Sequence, residues 1–270
     1  MQLVKHHGLG NDFLVAFHAD RSNDELSAFA MAVCDRRRGV GADGLIIGES
    51  DPDAHARMVL FNADGGRAEM SGNGIRCFAH ALALRRNDMS RLAIRTDVGL
   101  RAVELHPTNE AATLLGWVDM GEVTEIGEPA GWAAVGTDPG RPVAHLSLGN
   151  PHAVVPVDDV SSVDLATIGA KVPNVNLEII ASGPEPHAIT MRVHERGAGI
   201  TAACGTGACA SAVAALRWGI AAPQDGKLTV HMDGGSASVG FPAEVDPHGP
   251  TRVSLTGPTT YVATIEFPTP

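Results

Sequence analysis

Apolar residues recur along this chain at two periods. Ala56 to Phe61 and Ala188 to His194 read as strands, with β-type runs also at Leu100 to Leu105, Thr113 to Val118, Val143 to Leu148, Lys227 to Met232 and Val253 to Leu255. A last strand, Tyr261 to Phe267, follows Pro258 and is expected to return to the first half of the chain. Helical spacing appears three times. Ser22 with Glu25 three residues on forms a capping box, ahead of a stripe of Leu26, Phe29, Ala30 and Val33. After Ser71, Ile75, Phe78, Ala79 and Leu82 lie at i, i+3, i+4 and i+7, and Arg85, Arg86 and Asn87 suit a helix C-terminus. After Cys204, Ala208, Ala212, Ala215 and Leu216 lead to Gly219. This third helix is small and apolar almost all round, so it should be central and buried.

These elements repeat. Met58-Val-Leu-Phe-Asn62 and Met191-Arg-Val-His-Glu195 are both short β-type runs. Nine residues beyond Asn62 lies Ser71, and nine beyond Glu195 lies Cys204; each opens a glycine motif, Ser71-Gly-Asn-Gly74 and Cys204-Gly-Thr-Gly207. Upstream, Leu9-Gly-Asn-Asp-Phe13 echoes Leu148-Gly-Asn-Pro-His152. The offsets, 139 from Asn11 to Asn150 and 133 from Ser71 to Cys204, are nearly constant. Two copies of one α/β unit of the α+β type account for this order. The expected division is residues 1–115 with 258–270, and residues 116–257.

Composition narrows the function. The chain has 270 residues, 44% apolar, which is ample for two cores. Its formal charge of -11 disfavours nucleic acid and anionic membrane surfaces as partners. Arg36 to Arg38 and the pair Arg85, Arg86 read as solvated helix ends. No apolar run approaches the roughly 18 residues of a membrane span, and Met1 to Gly10 has no signal-peptide core. Four cysteines in this length make no disulfide framework, so a soluble, cytoplasmic setting is expected. No CxxC or HxxxH spacing points to a metal. Gly39-Val-Gly-Ala-Asp-Gly44 matches GxGxxG, but it follows three arginines and precedes a strand, the wrong context for a dinucleotide site.

The chemistry sits at two helix starts. Ser71 and Cys204 each directly precede a helix that begins with glycine. Such a start carries unpaired N–H groups and partial positive charge, which stabilises an anion and makes a thiol more acidic. Cys204 is therefore expected to be a reactive thiolate, and the same amides could hold a carboxylate. Two such starts serving one substrate would place a group on each face of the carbon beside that carboxylate. That suits inversion of an amino-acid α-carbon, whose carbanionic intermediate is stabilised by donors aimed at the carboxylate and needs no organic cofactor or metal in principle. Cys34, Cys77 and Cys209 read as structural. Asn11, Asn62, Asn150 and Asn176 lie in or near turns, where asparagine serves the backbone as readily as a ligand. Glu195 and Arg196 end a strand and could bind an ammonium and a carboxylate, or form a surface ion pair. His152 could tune a nearby thiol or satisfy a backbone group.

At these residues the chain resembles diaminopimelate epimerase over nearly its whole length. The resemblance is carried by His7-Gly-Leu-Gly-Asn-Asp-Phe13, Asp35-Arg-Arg-Arg-Gly-Val-Gly-Ala-Asp-Gly44, Asn62-Ala-Asp-Gly65, Gly72-Asn-Gly-Ile-Arg76, Gly149-Asn-Pro-His152, Val175-Asn176, and Glu195-Arg-Gly197 leading to Ala203-Cys-Gly-Thr-Gly207. It implies two pseudo-symmetric domains with the site in the cleft between them, a homodimer, and interconversion of LL- and meso-diaminopimelate for lysine and peptidoglycan synthesis without pyridoxal phosphate. By the same resemblance Cys204 is one catalytic base. Gly72, Asn73, Gly205 and Thr206 hold the reacting carboxylate. Asn11, Asn62, Asn150, Asn176, Glu195 and Arg196 contact the substrate's amino groups and distal carboxylate, and His152 and Glu195 modulate the thiols.

Ser71 departs from that pattern, because the family has cysteine there. A free thiol titrates near 8.5, whereas a serine hydroxyl is a far weaker acid and a poor base at neutral pH. The sequence leaves three accounts of Ser71 open. It could be a substitution that traps the enzyme or avoids an inter-thiol disulfide. It could be a natural variant with weakened or one-sided proton transfer. Or it could mark a relative that stops after one proton abstraction, as in elimination of a β-leaving group. The competing functions are accordingly a related racemase, a one-base dehydratase or lyase, and a catalytically silent amino-acid-binding protein.

Overall fold

A computed structural model describes residues 1–17, 21–246 and 249–268. The chain forms two compact units, Met1–Asp119 with Gly257–Pro270, and Met120–Thr256. The first carries β1 (Gln2–Gly8), β2 (Asn11–Phe17), α1 (Asn23–Cys34), β3 (Gly44–Glu49), β4 (Ala56–Asn62), β5 (Arg67–Ala68), α2 (Gly72–Arg86), β6 (Leu92–Thr96), β7 (Gly99–Pro107) and the start of β8 (Thr113–Glu125). The second carries the end of β8, then β9 (Ala144–Ser147), β10 (Pro151–Pro156), α3 (Leu165–Gly169), β11 (Asn176–Ser182), β12 (Ala188–Glu195), β13 (Gly199–Thr201), α4 (Gly205–Trp218), β14 (Lys227–Met232), β15 (Gly235–Gly240) and the start of β16 (Thr251–Glu266).

The fold is mixed α/β and its two units repeat one topology. In the first, β2 and β3 pair in parallel across α1, and β4 and β6 pair in parallel across α2; the other ladders are antiparallel. In the second, β10–β11 and β12–β14 are the parallel pairs, spanning α3 and α4. Even the register repeats: Phe13 faces Gly44 as His152 faces Asn176. Leu14 and Ala16 turn toward α1 with Leu26, Phe29 and Val33, and the equivalent Ala153 and Val155 pack beneath α3 and the short turn Trp132–Val135.

Local sequence explains the helices. The Ser22–Glu25 capping box forms as read, and the stripe behind it is buried. Ser71 and Cys204 are both N-caps with extended backbones, and each accepts a hydrogen bond from the amide three residues on. The helices also end alike, in left-handed residues Asn87 (φ 50°) and Gly219 (φ 68°) that satisfy the last carbonyls.

Two readings are corrected. Residues 72–83 of α2 are buried all round, not along one stripe, because Asn73, Arg76 and His80 are inside too. Val253–Leu255 and Tyr261–Phe267 are not separate strands: β16 runs unbroken through Pro258 to Glu266. It pairs with β15 as far as Thr256 and with β1 from Thr260, so the missing proline N–H falls between the two ladders. Arg36 is exposed just past the end of α1, as read, and its guanidinium also bridges Asp12 and Asp43 at 2.6 and 2.8 Å.

Candidate active site

In the first unit the site-forming residues surround the start of α2. Ser71 is half-buried, and its hydroxyl accepts from the Gly74 amide at 3.0 Å. Asn73, on the first turn, donates to Asn11 Oδ1 at 3.3 Å, and Asn11 in turn donates to Asp43 Oδ2 at 2.8 Å. Arg76 is wholly buried one turn on; it donates to Asn73 Oδ1 at 2.6 Å and to the Gly72 carbonyl at 2.9 Å. Asn62 ends β4, half-buried, beside Asp43 through the Ala63 N–H to Asp43 carbonyl bond of 3.0 Å. Burial opposes ionisation of Asp12, but Arg36 and Lys5 hold its carboxyl below the ordinary range.

The second unit builds the matching arrangement with different side chains. Cys204 Sγ accepts from the Gly207 amide at 3.4 Å and lies 3.5 Å from Thr206 Oγ1. Asn150 Nδ2 donates to that hydroxyl at 3.1 Å, the counterpart of the Asn11–Asn73 bond. Among the described residues His152 bonds neither the thiol nor a backbone group. Its Nε2 meets Asn150 Oδ1 at 3.2 Å and its Nδ1 meets Glu178 Oε1 at 2.7 Å. Asn176 donates to the Pro151 carbonyl at 3.0 Å and accepts from the Arg196 amide at 2.8 Å. The Glu195 carboxylate receives the hydroxyl of Thr201.

The electrostatics overturn one expectation. Burial, then the charges of Glu195 and Glu178, push the Cys204 thiol well above its ordinary value, and the bonds from Thr206 and Gly207 offset only part of this. A helix start alone would lower it. Here removal from water dominates. At neutral pH Cys204 is therefore held as a thiol, a proton donor. Cys34 and Cys77 are also pushed up by burial, each to about 12, and all four cysteines are buried and unbridged. Among the described residues no cluster of three or more His, Cys, Asp or Glu is placed to hold a metal ion, and no helix is long and apolar enough to cross a membrane.

Each unit thus offers a helix start with backbone donors, a capping group that can carry a proton, and amides aimed at it, which is the equipment for moving a proton beside a carboxylate. The family model for diaminopimelate epimerase matches residues 3–126 and 145–262. The chain belongs to the diaminopimelate epimerase family. It is an isomerase of the epimerase type. A diaminopimelate epimerase from Desulfitobacterium hafniense is 38% identical over 283 residues, covering 97% of this chain and 96% of that protein. Another, from Acidiphilium cryptum, is 39% identical over 249 residues, 87% of each. The solved structure of a predicted epimerase from Pseudomonas aeruginosa shares the fold, with a TM-score of 0.75 at 16% identity over 100% of this chain and 99% of that one.

Two buried residues of this epimerase went unnoticed in the sequence reading. Arg76 closes the Gly72-Asn-Gly-Ile-Arg76 motif, where the sequence attaches no role to it, and is wholly buried. Glu178 lies in the apolar run Asn176–Ser182 and is wholly buried. Aligning the two repeats would have exposed it: by strand register its counterpart is Ile46, opposite Val15 as Glu178 is opposite Val154.

Proposed function

We propose that this epimerase interconverts LL- and meso-diaminopimelate by removing the α-proton from one face and returning one to the other, supplying lysine and peptidoglycan precursors. The observation that carries this is the pair of matched N-caps, Ser71 and Cys204, each bonded to the amide three residues on. In this reading Gly72, Asn73, Gly205 and Thr206 take the reacting carboxylate, with helix-start amides stabilising the charge that develops on it. Asn11, Asn62, Asn150, Asn176, Glu195 and Arg196 take the amino groups and the distal carboxylate. His152 and Glu195 adjust the proton affinity of Cys204. No cofactor enters the reaction, and the working form is a homodimer.

Two-base chemistry asks that one group from each unit reach a single carbon. Cys204, held protonated at rest, is suited to donate. Its partner must then be the base, and a serine hydroxyl serves poorly. The remaining path has Cys204 ionise and abstract the proton while the Ser71 hydroxyl donates from the other face. That path is slow because the thiolate is scarce. A cysteine at position 71 would lie at a helix start near the buried Arg76 cation, surroundings that favour a thiolate. General acid–base groups each contribute about 100- to 10,000-fold, so Ser71→Cys should raise turnover of LL-diaminopimelate by at least about 100-fold. The assay follows α-proton exchange in deuterated water together with appearance of the meso isomer. Unchanged turnover in Ser71→Cys would remove the two-thiol reading, and a keto acid formed from a β-substituted amino acid would replace it with elimination.

A further inference from the structure

The pair Glu178 and His152 is not required by the fold. At the equivalent positions the first unit carries Ile46 and Phe13, in the same register. Ile46 Cδ1 lies 3.4 Å from where a Cβ on Gly74 would sit, and Glu178 Oε1 lies 2.5 Å from where a Cβ on Gly207 would sit. One architecture thus accepts an apolar pair under the Ser71 helix and an ionisable pair under the Cys204 helix. The ionisable pair is costly: both side chains are wholly buried, and Glu178 Oε2 has no hydrogen-bond partner among the described residues. A buried carboxylate kept at a position where isoleucine suffices points to a task other than packing.

Its bonds define that task. Asn150 donates through Nδ2 to Thr206, so its Oδ1 is turned to His152 Nε2 and requires a proton there. The bond between His152 Nδ1 and Glu178 Oε1 holds one further proton, on either atom. Whether the pair is imidazolium with carboxylate or imidazole with carboxylic acid, it is neutral overall and Nε2–H is present. Thr206, whose oxygen accepts from Asn150, keeps its own hydrogen to direct at Cys204 Sγ, 3.5 Å away. Without a partner on Nδ1, the other tautomer becomes available. Asn150 then turns over to donate to Nε2, and the Thr206 hydrogen is drawn to Asn150 Oδ1 instead of the sulfur.

We propose that Glu178 is a positioning residue for Cys204: it holds the proton on the Nδ1 side of His152, and so fixes the direction of a hydrogen-bond chain through Asn150 and Thr206 that ends as a donor on the sulfur. This deepens the epimerase reading, in which Cys204 must become a thiolate for one direction of proton transfer. Its test needs no substrate, so its failure is separate from failure of that reading.

The first measurement is ¹⁵N NMR of His152 in the intact protein, assigned by loss of its signals in His152→Phe. Protonated Nε2 with the Nδ1 proton shared is expected; bare Nε2 with protonated Nδ1 would overturn the proposal. The second is the rate at which iodoacetamide alkylates Cys204, read by mass spectrometry of its peptide across pH. Glu178→Ile, copying the first unit, should slow alkylation by roughly tenfold, the value of a hydrogen bond to a charged group. In a Thr206→Val background the same change should do nothing further, because the chain is already cut. Faster or unchanged alkylation, or the same factor in both backgrounds, would mean that Glu178 acts through space or only in packing. The double variant His152→Phe/Glu178→Ile restores the pair the fold already accepts and should show the same slowing. If Glu178→Ile alone does not fold, the double variant and the NMR measurement on the unaltered chain decide.

Discussion

Lowering the pH from 7 to 5 should weaken the first unit through one side chain, His6. This histidine on β1 is wholly buried, neither ring nitrogen has a hydrogen-bond partner among the described residues, and the rings of His80 and Tyr261 meet it edge-on at 4.7 and 5.6 Å. Burial, then the neighbouring charges of His80 and His7, bring its pKa from 6.5 down to about 3. The unfolded chain therefore takes up a proton near pH 6.5 that the folded chain refuses until about pH 3, and stability falls as the pH drops through that window. Between pH 7 and 5 the unfolded form gains a factor of about 25 from this proton while the folded form gains almost nothing, a loss of about 2 kcal/mol. His80 is lowered too, again chiefly by burial, so a control must isolate His6. His6→Leu removes the titration and keeps an apolar body of similar size. Native-state hydrogen exchange of the slowest β1 and β2 amides, at both pH values, reads the stability of this unit locally. The unaltered chain should lose about 2 kcal/mol more than His6→Leu on acidification. An equal loss in the two proteins would show that His6 takes its proton in the folded state, and the reasoning from burial would be wrong.

Glycines give a contrasting pair. Gly207→Ala would set a Cβ 2.5 Å from Glu178 Oε1 and 3.2 Å from its Cγ and Cδ, and Glu178 is held by His152, so a cost of about 1–3 kcal/mol is expected as a lowered melting temperature. Gly219→Ala meets no atom within 4 Å, yet its φ of +68° costs about 1 kcal/mol, and Cys204 alkylation should be unaffected there but not in Gly207→Ala. Ser22→Ala removes the capping box of α1 and should lower stability by about 1 kcal/mol in denaturant titration.

Much of the fold was legible because its signals are local. The α1 capping box, the spans of β4, β12 and β14, and the two glycine-led helix starts depend on neighbours a few residues away. The misreadings all involve partners distant in sequence. The apolar stripe of α2 is only part of its buried surface, because Asn73 and Arg76 satisfy one another and Asn11, so a helix with polar positions is buried all round. Pro258 looked like a break, since sequence does not show where one ladder ends and the next begins. The acidity of Cys204 was misjudged because the helix start is visible in sequence, while the burial and the carboxylates of Glu195 and Glu178 are tertiary.

A duplicated fold supplies two equal sets of backbone donors, but inversion at a carbon needs unequal partners, one holding a proton and one lacking it. The repeat makes the helix starts alike, down to the caps and the Asn11–Asn73 and Asn150–Thr206 bonds. The inequality comes from what the duplication changed. Beneath α4, Phe13 and Ile46 have become His152 and Glu178; on α2, the position equivalent to buried Cys209 holds the buried cation of Arg76. Burial holds the Cys204 thiol protonated, and a buried cation favours an anion. In the proposed reaction the resting proton therefore belongs to Cys204, and position 71 is the side prepared for a base. Serine there leaves the prepared side without a group that can use the preparation. It follows that Ser71→Cys should do more than raise the rate. It should shift the limiting proton transfer from the Cys204 face to the position-71 face, visible as exchange in deuterated water that begins from the opposite isomer.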